Sequence, residues 1–168
     1  MADAVDQMAE QWRTERPDLA GQLESIELLA RISRMQRVFD QHYKKLHDQF
    51  DLTLGEIDML FTLRRSGPPY TLTPGAFVKA VMVTAGAITN RLDRMEAKGL
   101  VERVREGTDR RSVQIHLTEH GKTLADEVLA AHMQNYEEIT APLAPQERQL
   151  LNAELRRILE AHGDTTLG

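Results

Sequence analysis

Residues 84–117 confine this chain to a narrow set of folds. Ala85, Ile88, Leu92 and Met95 recur at helical spacing and stop at Gly99, a residue suited to a left-handed helix end. Two short runs follow, Leu100–Arg105 and Ser112–Leu117, around the turn-like "EGTDR". In the second run Val113, Ile115 and Leu117 alternate with Ser112, Gln114 and His116, the period of a strand with one buried face. Before the helix, Thr73 followed by Pro74 is an N-cap with proline at the first helical position, which opens a short helix over 74–81. A turn at Met82 and Val83 leads to Thr84, which caps the helix 84–98. Two short helices joined by about four residues form a helix-turn-helix signal, and the hairpin after them supplies a wing.

The flanks are helical. Val5, Met8, Ala9 and Trp12 mark a helix over 4–16, ended or bent by Pro17. A long helix from about Ser25 to Phe50 carries Ile26, Leu29, Ile32, Met35, Val38 and Phe39 on one stripe. "TLGE", Thr53 to Glu56, is a capping box that opens a helix to Arg65, and "SGPPYTLTP" reads as a turn region. Thr118 caps a helix to about Ile139, and Pro145 starts a last helix over 145–161. The expected fold is mainly α with a small β-hairpin, a winged helix-turn-helix between N- and C-terminal helices in a single domain.

Composition narrows the function. The 168 residues hold no cysteine, so disulfides, thiolate metal sites and cysteine nucleophiles are excluded. The six histidines show no metal-ligand spacing, and no Ser-His-Asp motif, P-loop or GxGxxG supports an enzyme. No apolar run spans a bilayer and no signal peptide opens the chain, so a cytoplasmic protein with no membrane partner is expected. The net charge is -5, yet residues 51–118 hold 10 Lys/Arg against 8 Asp/Glu. The acidic excess lies in the terminal segments, and the basic part coincides with the winged helix-turn-helix.

On the helix 84–98 the face opposite the core presents Gly86, Ala87, Asn90, Asp93 and Arg94. Asn and Arg read adenine and guanine edges, and small residues allow close approach to DNA. Thr84, Gly86, Ala87, Thr89, Asn90 and Arg94 are therefore the candidate DNA contacts of this helix. In the wing, Arg110 and Arg111 suit a minor groove or a phosphate pair, and Asp109 can hold one guanidinium by a forked bond.

The stretch "AITNRLDRMEAKGLVERVREGTDRRSVQIHLTEHGKTL" resembles the recognition helix, wing and wing-to-helix junction of the MarR family of bacterial transcription regulators. The resemblance covers roughly residues 25–160. It implies a homodimer formed through residues 1–50 and 119–168, with 51–118 as the DNA-binding lobe. Two recognition helices about 34 Å apart would then match a palindromic operator in double-stranded DNA. No cofactor is expected, only an effector.

The N-terminal helix with Trp12, together with "EIDMLFTLRRSGPPYTLTP", is similar to the PecS and urate-responsive branch. That likeness implies a pocket for urate or a similar anion lined by Trp12, Asp58, Arg91 and Arg103. The helical wheel sets Asp58 between Leu54 and Phe61 in the apolar stripe, where a carboxylate needs a cation such as arginine. Arg91 flanks its helix and can turn to a pocket or to DNA. Arg103 alternates with Val104 and serves either DNA phosphate or an effector. Trp12 alone reads as a packing anchor. A phenolic or polycarboxylate anion is the alternative effector, and a helical interaction protein the alternative class.

Overall fold

The computed structural model describes residues 2–80, 85–105 and 113–166. The chain divides into two compact units, Met1–Lys45 and Leu46–Gly168. The first holds α1 (Ala4–Glu15), a 3-10 segment (Pro17–Gln22) and most of α2 (Leu23–Phe50). Asp3 caps α1: its Oδ1 accepts from the N–H groups of Val5 at 2.8 Å and Asp6 at 2.9 Å, while the Asp6 carboxylate accepts from the Asp3 N–H. Arg31 of α2 donates to both carboxylates and holds the Asp3 carboxyl down at about 2. Val5, Ala9 and Leu23 are buried. Pro17 begins a tight helix rather than only ending one, because a proline ring suits a first helical position.

In the second unit α3 (Leu54–Arg65) opens with the expected capping box. It is followed by β1 (Thr71–Leu72), α4 (Pro74–Ala80), α5 (Ala85–Ala97), β2 (Val101–Arg105), β3 (Val113–Leu117), α6 (Glu119–Thr140) and α7 (Pro145–Ala161). Ile57, Leu60 and Leu63 of α3 pack with Phe77, with Ile88, Leu92 and Met95 of α5, with Ile115 and Leu117, and with Ala125 and Val128 of α6. The helical wheel of α5 is thus realised at Ile88, Leu92 and Met95. At its end Gly99 takes φ 68 and donates to the Glu96 carbonyl, while the Leu100 N–H donates to Met95.

The sheet has three strands, not the two expected, in the order β1-β3-β2 with both pairs antiparallel. Thr71 and Leu72 face His116 and Ile115 of β3. A two-residue strand is too short to show alternation, so the turn chemistry of "SGPPYTLTP" masks it. The Thr118 hydroxyl caps α6 by accepting from the Gly121 N–H at 2.9 Å.

His132 of α6 is buried, edge-on to Phe61 at 5.3 Å between ring centroids, with Nδ1 3.2 Å from the Tyr136 hydroxyl. Burial pushes its imidazole below the usual 6.5, and the charge of His47 pushes the same way. The unfolded chain therefore binds the proton more readily. Stability is full above that usual value and falls as pH drops toward the folded-state value. We expect the melting temperature to decline between about pH 7.5 and 5.5, with a shallower decline in His132→Phe; equal slopes would remove His132 as the cause.

Candidate DNA and effector site

The exposed face of α5 carries Thr89, Asn90, Asp93 and Arg94. Gly86 and Ala87 lie in its first turns, with side chains outside what is described, and Thr84 also lies outside the described residues. So do Asp109, Arg110 and Arg111, whose part in a wing stays a reading of the sequence.

Two arginines tie α5 to its neighbours among the described residues. Arg103 of β2 donates from its guanidinium to Asp93 at 2.5 Å and to Glu96, and from its N–H to Glu96 at 3.3 Å. Arg94 donates from Nε to Oε1 of Glu56 at 3.1 Å. Glu56 is only 1% exposed, and its Oε2 accepts from the Thr53 N–H at 2.8 Å and the Thr53 hydroxyl at 3.0 Å. Burial pushes its carboxyl up, but the Thr53 bonds and the charges of Lys98 and Arg94 outweigh that and hold the pKa below the ordinary value.

Asp58 departs from its expected environment. It is exposed, because α3 turns Glu56, Ile57, Leu60 and Leu63 into the core and leaves Leu54 49% exposed. The stripe through Leu54 and Phe61 is thus the flank of the helix, and Glu56 is its buried carboxylate. Protein crowds one side of Asp58 and raises its pKa, opposed by the charges of Arg65 and Arg91. Arg91 crosses Gly55 so closely that a Cβ there would lie 2.5 Å from its Cζ and Nε. Its Nη1 is buried and makes no hydrogen bond among the described residues. Asp58 and Arg91 are thereby brought into electrostatic reach. Arg103 engages Asp93 and Glu96, which lie about 200° and 140° around α5 from Arg91 at ~100° per residue. Beside Arg103 runs a groove of about 320 Å³ bordered by Pro74, Thr89, Leu92, Val113 and Ile115. Trp12 belongs to the other compact unit and is 44% exposed.

The sequence profile of the MarR family matches residues 50–112. The HTH-type transcriptional regulator PecS of Dickeya dadantii is 37% identical over 154 residues, 92% of each chain. The chain belongs to the MarR family. A second relative in the family, the multiple antibiotic resistance protein MarR of Salmonella typhimurium, is 31% identical over 110 residues, 65% of this chain and 74% of the relative. Among solved MarR structures, a mutant of the Escherichia coli protein complexed with operator DNA is 28% identical with a TM-score of 0.67, covering 80% of this chain and 96% of that one. The same protein in apo form gives a TM-score of 0.65. MarR-family proteins of this kind are transcriptional regulators rather than enzymes, usually DNA-binding and ligand-responsive. Among the described residues no helix is long and apolar enough to cross a membrane.

Sequence reasoning missed three partners in this MarR-type lobe: Glu56 beneath Arg94, and Asp93 and Glu96 on Arg103. The capping box marked Glu56 as an acceptor for Thr53, but nothing local announced a cation from a helix 38 positions away. Asp93 and Glu96 stand at i, i+3 on α5, a spacing that offers two carboxylates to one neighbouring cation.

Proposed function

We propose that the protein is a cytoplasmic, homodimeric repressor that leaves a palindromic operator when a small anion, urate or a related purine, binds. The observation that carries the DNA-binding part is the exposed Thr89, Asn90 and Arg94 face of α5, set between α4 and the sheet. In this reading α5 enters the major groove and Arg110 and Arg111 reach the minor groove or the phosphates. The operator complex of the E. coli relative supports it.

Unpartnered apolar surface supports the dimer. On α7 no residue is buried, and Leu150, Leu151, Ile158 and Leu159 are 39–63% exposed. Ile26, Leu29, Ile32, Met35 and Val38 of α2 are also exposed. Helices with such stripes gain most of their stability from packing, so residues 1–50 and 119–168 act mainly in association.

The buried, unbonded Nη1 of Arg91 near Asp58 supports anion capture. In this reading Arg91 supplies charge and Asp58 polarity. Capture relieves repression only by favouring a conformation that binds DNA poorly. A second reading takes the apolar groove beside Arg103 as the seat of a phenolic anion, one cation beside an aromatic-sized cleft. Thermal shift with urate, xanthine, salicylate and aconitate separates the two. Urate should raise the melting temperature of the wild type and leave Arg91→Ala unmoved. A response to salicylate alone, or an undiminished urate response in Arg91→Ala, would sink the urate reading.

A further inference from the structure

The Glu56–Arg94 pair is lopsided: the carboxylate is 1% exposed and the arginine side chain 55%. A capping box needs only a neutral acceptor at this position, since glutamine serves as well as glutamate. A buried charge is unfavourable unless a cation answers it, so the cap alone does not account for a carboxylate here. Arg94 is the cation in hydrogen-bond contact, and the Lys98 ammonium stands 3.9 Å from the other oxygen. Arg94 engages through Nε alone, and neither Nη donates to any described residue. Its paired Nη edge remains available in the geometry that suits a phosphate.

We propose that Glu56 is a positioning residue for DNA binding. It anchors Arg94 by Nε from beneath, so that the free Nη edge of a pre-oriented guanidinium clamps a backbone phosphate and sets the register of α5. Phosphate contacts carry orientation rather than sequence, so the effect falls on docking and not on base choice. This rests on α5 being the DNA-reading helix.

The test is fluorescence anisotropy of a labelled duplex from the region upstream of the gene, and of a scrambled duplex, over a salt series. Glu56→Gln, which keeps an acceptor for the Thr53 cap, and Arg94→Ala should each weaken operator binding about tenfold. Each should flatten the log-log salt dependence by about 0.9, the share of one phosphate contact. The double variant should bind no more weakly than Arg94→Ala alone. Additive losses would reduce Glu56 to a helix cap and overturn the proposal, as would unchanged binding by Glu56→Gln. If Glu56→Gln melts early, Arg94→Lys decides, since it leaves the cap intact. A single ammonium cannot hold the carboxylate and present a fork, so a loss of about tenfold is expected and full retention overturns the proposal. Wild-type protein that binds neither duplex would remove the regulator reading itself; wild-type binding with additive losses would remove only this one.

Discussion

Replacing Gly121 with alanine should cost about 3 kcal/mol of stability, because the methyl group has nowhere to go. A Cβ at Gly121 would sit 2.0 Å from the Leu100 carbonyl oxygen and 2.9 Å from Leu117 Cδ1. That carbonyl is not free to yield: it also accepts from the Thr118 N–H and hydroxyl, both at 3.1 Å. The clash is therefore with backbone pinned between the end of α5 and the start of α6. For a chain of this size the loss corresponds to roughly 10 °C in melting temperature. Gly75→Ala is the matched control, since a Cβ there meets nothing within 4 Å, and it should melt within a few degrees of the wild type. Equal melting of Gly121→Ala and Gly75→Ala would mean that α6 can move away from the Leu100 carbonyl without loss, contrary to the close approach seen there.

The second large effect concerns association. Leu150→Glu with Leu151→Glu replaces two α7 residues that are 63% and 48% exposed in the single chain. If α7 is covered by a second copy, the pair of charges should turn a dimer into a monomer by light scattering. Operator affinity should then fall by at least about a hundredfold, because two linked half-site contacts become independent. Dimers persisting in the double variant would assign the apolar stripe of α7 to another partner.

What was legible in the sequence was local. Thr53 with Glu56, Thr73 before Pro74, Thr118 and Pro145 each announce a helix start through side chains within three residues of the backbone they serve. Ile88, Leu92 and Met95 announce a core face because burial follows the helical period. The strand Thr71–Leu72 was illegible, since its existence depends on β3 and not on its own pattern. Asp58 was misplaced for a related reason. Two apolar neighbours, Leu54 and Phe61, define a stripe on the wheel, but only α5, α6 and the sheet decide which side of α3 is the core. The charge pairs were hidden for the same physical cause. Arg94 with Glu56 and Arg103 with Asp93 join separate elements, and their choice of partner is tertiary.

The candidate site divides along the same line. The family resemblance carried four effector residues. The structure brings Arg91 and Asp58 within electrostatic reach of each other, and gives Arg103 two carboxylates of α5 as partners. An anion competing for Arg103 would meet Asp93 and Glu96 first.

The measurement closest to the central claim is a mobility shift with the DNA upstream of the gene, with and without urate. The expected result is a discrete complex that weakens as salt rises, weakens again in Arg110→Ala, and dissociates when urate is added. No shift at low salt, or a shift indifferent to both salt and Arg110, would contradict it.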